Sequence, residues 1–134
     1  MGKKKNKNVI WVYNETYMQE YLVIFAPNYK KFCEITKSEI RFSPRQEEGD
    51  EDGHVTGEFI GLVNEHSSLG IIWASDKTVN LVHELFHACA WTLRNRDIEL
   101  TQDTEETYAY YYAYLYRTIK EELYKQKETK RKKV

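Results

Sequence analysis

Near residue 75 the spacing of the apolar side chains changes character, and that change limits what this chain can fold into. Before it, short runs rich in β-branched and aromatic residues, VIWVY (9–13), YLVIFA (21–26) and LGIIWA (69–74), read as strands. KFCEI (31–35) and EIRF (39–42) read as two further short strands, after a turn at Pro27-Asn28. HVTGEFIGLV (54–63) alternates weakly and carries glycines, as a bent or edge strand does. Glu15 to Glu20 reads as a short helical turn, and Pro44 to Gly53 as a polar, acidic loop. From Asp76 onward, Val82, Leu85, Phe86, Cys89 and Leu93 recur at helical spacing. Ser75 or Asp76 is the expected N-cap, and the helix should end near Arg94 to Arg96. A second helix should start within TQDTEE, capped by Thr101 or Asp103, and run to about Lys125. Strands followed by two helices predict an α+β fold: a small mixed or antiparallel sheet of four or five strands packed on both helices.

A chain of 134 residues predicts one domain, here 9–125, between a basic head (1–8) and a basic tail (126–134). Lys3, Lys4, Lys5 and Lys7 make the head basic; Lys127, Lys130, Arg131, Lys132 and Lys133 do so for the tail. Net charge is −1, so bulk electrostatics selects no polyanionic partner, and nucleic acid could be met only through the basic ends. No apolar run approaches the roughly 20 residues that cross a bilayer, so no membrane partner is expected. The apolar run after the basic N-terminus is too short for a signal-peptide core, and Asn6 stands where myristoylation needs Ser or Thr. Two cysteines, Cys33 and Cys89, indicate no disulfide scaffold, and Cys89 falls in the apolar helical pattern. Together these features predict a cytoplasmic protein.

Inside the first helix lies HELFH, His83 to His87. Histidines four apart project from one helical face, so both imidazoles can reach one zinc ion. Glu84 stands about 100° around the helix from His83, close to such an ion without ligating it. A carboxylate there can take a proton from a water that the metal acidifies, which is why the pattern is His-Glu-x-x-His. A catalytic zinc takes three protein ligands and keeps one open position. No histidine follows His87, and His54 and His66 lie upstream, so the third ligand is expected from Glu105 or Glu106.

HELFH followed by EETYAYYYAYLYR resembles the gluzincin metallopeptidases, and is similar to small HExxH peptidases encoded by phages and mobile elements. The resemblance spans roughly residues 69–117. It implies a minimal zincin-like fold, a Zn2+ cofactor, and a peptide or protein substrate. It maps the third ligand onto Glu106, three residues before Ala109. Glu106, Ala109, Tyr110, Ala113 and Arg117 also share one helical face, whose two alanines would admit close packing on the HExxH helix. Alternatively Glu106 caps its own helix in a box with Asp103. Tyr110, one turn on, could orient an imidazole. The strand before the HExxH helix, with Gly70, Ile71, Ile72 and Trp73, is expected either to hold extended peptide by strand addition or to be an ordinary buried strand. The resulting expectation is a zinc metallopeptidase: His83, His87 and Glu106 as ligands, Glu84 as general base. Two other classes stay open. One is a regulatory or DNA-associated module in which zinc only stabilises the fold; the other is a metal-free interaction protein with a tyrosine-rich partner surface.

Overall fold

The computed structural model describes residues 8–44 and 55–132, with side chains to residue 128. The fold is α+β. Seven elements follow one another: β1 (Val9–Asn14), β2 (Gln19–Phe25), α1 (Tyr29–Ile40), β3 (Gly57–Val63), β4 (Ser68–Ala74), α2 (Val79–Arg94) and α3 (Glu105–Lys132). The sheet is mixed, in the order β1-β2-β4-β3. β1 and β2 form an antiparallel hairpin with Asn14 opposite Gln19, and β3 and β4 a second with Val63 opposite Ser68. The hairpins meet along a parallel β2–β4 seam, Glu20 opposite Leu69 through Phe25 opposite Ala74.

Both faces of the sheet are covered. Ile10, Val12, Tyr21, Val23, Phe25, Ile72 and Ala74 form one core with Leu81, Leu85, Ala88, Cys89 and Leu93 of α2 and the α3 stripe Tyr108, Tyr111, Leu115, Ile119 and Leu123. On the opposite face Val9, Leu22, Ile24, Ile71 and Trp73 pack with Tyr29, Phe32 and Ile35 of α1. A strand buried on both sides has no polar face to show, which is why YLVIF and GIIWA are unbroken apolar runs.

Helix α1 replaces the two strands expected at 31–35 and 39–42. The Asn28 side chain accepts from Lys31 N at 2.8 Å, which caps the first turn. Phe32, Ile35 and Thr36 then fall on one buried face, and Arg41 ends the helix at a φ of 56°. The strand-forming composition of KFCEI yields to that cap and to helical burial spacing. Glu15 to Met18 is the hairpin loop, not a helical turn. Met18 adopts a φ of 51° there, and Gln19 and Glu20 already belong to β2.

Helix α2 begins at Val79, and its N-cap residue Thr78 makes no capping bond with its own side chain. Asp76 instead accepts from Thr78 N and Asn80 N, holding its carboxylate at the positive end of the helix. Those bonds hold its carboxyl below the usual carboxylate range. Helix α3 starts at Glu105, two residues after Asp103, and the Thr104 hydroxyl accepts from Thr101 N in the turn before it. It continues past the expected end at Lys125, so the backbone of the basic tail is helical to Lys132. Cys33 and Cys89 are both free, and Cys89 is buried. Its thiol is pushed up to about 12 by that burial. Among the described residues, no helix is long and apolar enough to cross a membrane. The basic head to Lys7, the acidic loop at Glu47 to Asp52 and His54 lie outside the described residues.

Candidate functional site

Helix α2 is held on three sides. Leu81, Leu85, Ala88 and Thr92 face the sheet, and Glu84 and Trp91 face β3. Val82, Phe86 and Cys89 face α3. What remains is a solvent-exposed strip carrying His83 and His87, between α3 on one side and strand β3 on the other. Their ring centroids are 5.1 Å apart at an interplanar angle of 69°, one helical turn of separation.

Glu84 behaves differently from its neighbours. Only 6% of it is exposed, and its Oε1 lies 3.7 Å from His83 Nε2. Burial raises its pKa above the ordinary carboxylate value, and the two imidazoles beside it oppose that shift. Its side chain rests on Gly57, the first residue of β3. A Cβ there would meet Glu84 Cγ at 2.9 Å and the Trp73 carbonyl at 2.8 Å. Gly61, on the same face of the strand, lies beneath Trp91, and a Cβ there would sit 2.3 Å from the indole. Phe59 packs edge-on against the same indole at 5.4 Å. Two glycines four apart therefore let α2 lie directly on β3. Sequence spacing showed the glycines, but only the fold reveals what they admit.

The neighbouring strand is thus β3, not the one expected. β4 is hydrogen-bonded on both edges, to β2 and to β3. Gly70, Ile71, Ile72 and Trp73 are all buried. They form an ordinary core strand and cannot accept an added one. Among the described residues β3 is the sheet's edge on this side, in keeping with its weak alternation and its glycines.

Helix α3 turns a different face to α2 than its alanines suggested. Tyr108 and Tyr112 make the contact: the Tyr108 carbonyl lies 3.6 Å from Cys89 Sγ, and the Tyr112 hydroxyl donates to the Val82 carbonyl at 2.7 Å. Glu106, Ala109, Tyr110, Ala113 and Arg117 are all exposed. Large rings bury more apolar area than alanine methyls, so the tyrosine stripe wins the interface. Glu105 and Glu106 are both exposed in the first turn of α3. Tyr110 stands with Tyr13 and Tyr17 along the β1–β2 loop, so it does not serve as the expected support for an imidazole. His66 sits exposed in the β3–β4 turn, where Asn64 Oδ1 accepts its backbone N–H.

The two imidazoles suit a zinc ion in spacing, exposure and donor type. Among the described residues, no three His, Cys, Asp or Glu side chains gather into a metal-binding group, so a third donor is not in place beside the pair. No family model matches the sequence, no curated protein matches it, and no solved structure matches it.

Proposed function

We propose that this protein is a zinc-dependent metallopeptidase whose site is the exposed strip of α2. The observation that carries the reading is the contrast within one helical turn: two exposed imidazoles 5.1 Å apart and a buried carboxylate 3.7 Å from the first. A fold using these histidines only as surface residues has no need to bury Glu84 among them. His83 and His87 would hold the ion; the sequence resemblance offers Glu106 as third donor, while the face of α3 that meets α2 at Tyr108 and Tyr112 carries Glu105 one turn earlier. Zinc held there would supply Lewis acidity at the scissile carbonyl and lower the pKa of water. Glu84 would hold the proton removed from the attacking water on a carboxylate oxygen and return it to the leaving amine. The outer edge of β3 would bind an extended peptide by backbone pairing beside the histidines.

Glu84→Gln tests the reading. The amide keeps shape and packing but cannot take the proton. Zinc content should stay at wild-type level, while cleavage of a mixed peptide library, read by mass spectrometry, should fall by roughly 10²–10⁴-fold. His83→Ala or His87→Ala should lose stoichiometric zinc. Equal cleavage by wild type and Glu84→Gln would remove the general-base role. Zinc bound in both proteins with no cleavage by either would favour a zinc-stabilised regulatory module.

A further inference from the structure

On the far side of α3 from its α2 contacts lies a groove of about 670 Å³, between that helix and the β1–β2 loop. Its walls carry five tyrosines, Tyr13, Tyr17, Tyr110, Tyr111 and Tyr114, together with Glu15. Two of these rings are offered to solvent: Tyr110 is 74% exposed and Tyr13 53%. Their neighbours are held. Tyr111 packs edge-on against Tyr17 at 5.0 Å and its hydroxyl is bonded to that of Tyr21, so the floor is rigid.

The side chains that line the groove carry charge of one sign; Arg96, which bonds the carbonyl of the lining residue Tyr17, is engaged there and by Gln19 and is not among them. Glu15 lines the groove, and no lysine or arginine does among the described residues. Glu20 stands opposite Tyr13 in the hairpin and is exposed. The first cation along this face of α3 is Arg117, two turns beyond Tyr110. Exposed aromatic faces beside an uncompensated carboxylate favour a cation, and a planar guanidinium can stack on a ring while bonding to the acid. The catalytic reading makes no use of this site.

We propose that the tyrosine groove docks an arginine-bearing peptide segment of a partner protein. Tyr13 and Tyr110 flank the guanidinium, and Glu15 pairs with it. The preformed floor means that little side-chain ordering opposes binding.

Fluorescence anisotropy on the full chain tests this, with a labelled octapeptide of alternating glycine and arginine as probe. The same peptide with neutral citrulline in place of arginine is the control for shape. Saturable binding is expected for the arginine peptide and not for the citrulline peptide. Tyr110→Ala and Glu15→Gln should each weaken it roughly fivefold, the size of one lost cation–π or exposed charge contact. Tyr110→Phe should retain it, because the ring face and not the hydroxyl makes the contact. Tyr124→Ala, an exposed tyrosine elsewhere on α3, should change nothing. Equal binding of the citrulline peptide, full binding by Tyr110→Ala, or no saturable binding of the arginine peptide would each overturn the proposal. Mass spectrometry of the probe after each titration checks that it is intact, so none of these outcomes depends on whether the protein binds zinc or cleaves peptides.

Discussion

Within one turn of α2, His83 and His87 are exposed and Glu84 is buried, and that difference carries most of the functional argument. Their placement around one turn was legible from the sequence, because it depends on helical spacing alone. The face that α3 turns toward α2 was not. The face argument for Glu106 rested on Ala109 and Ala113 packing against α2, and both are exposed. The two glutamates are best separated by experiment. Glu106→Ala should lower zinc occupancy more than Glu105→Ala, measured on protein purified without chelator; the reverse order would assign the donor to Glu105. A second residue-scale consequence concerns alkali. The Tyr21 hydroxyl is bonded to Thr92 and Tyr111, and burial pushes its pKa up to about 12; burial also raises Tyr111. The folded state holds both protons more tightly than the unfolded chain does. Their contribution is therefore complete below pH 10 and is lost as pH rises, at about 1.4 kcal/mol per pH unit for each group. Absorbance at 295 nm follows the ionisation of the 11 tyrosines. Tyr21 and Tyr111 should ionise only as the protein unfolds at higher pH. Ionisation of all 11 in one phase without loss of structure would contradict the buried trio.

Among the elements, β3 and α2 form the pair on which the candidate site depends. Gly57 admits Glu84 and Gly61 admits Trp91, so a methyl group at either position must displace a packed side chain, the helix or the strand. Gly61→Ala should cost about 1–3 kcal/mol, as overpacking does, seen as a lower midpoint in urea unfolding. Gly57→Ala presses on the Glu84 side chain itself, so hydrolysis should suffer beyond the loss of stability. An unchanged midpoint in Gly61→Ala would mean that the indole can swing away. The sequence identified β1, β2, β3, β4 and α2 because each carries a continuous signal: a β-rich run, or a helical stripe. It misread α1. There a β-branched and aromatic composition competes with an asparagine cap and two buried rings, and only the covered sheet face decides between them. It also placed the substrate strand at β4, since adjacency along the chain says nothing about which strand ends at an edge.

For the whole molecule, a sheet with α1 on one face and α2 with α3 on the other leaves the described part of α3 beyond Leu123 outside the core. Leu123 is the last buried apolar side chain described on α3, and Gln126 Nε2 donates to the Val9 carbonyl. Removing residues 127–134 should therefore leave the thermal midpoint and zinc content near wild type, even though the backbone there is helical to Lys132. Ending the chain before Leu123 should lower the midpoint clearly. A collapse on the shorter truncation would show that the tail contributes to the core. The parallel β2–β4 seam has a further consequence, one of timing. Each hairpin can zip up from its own turn, but the seam joins Glu20 to Leu69, far apart in sequence. Closing so long a loop is entropically slow relative to hairpin formation, so the two halves should join last. β3, β4 and α2 lie on the same side of that seam, so Gly57 can cover Glu84 before the halves join; what waits for the seam is the buried bond between Tyr21 of β2 and Thr92 of α2. The surroundings proposed for the chemistry would then assemble ahead of the contacts that anchor them to the rest of the fold.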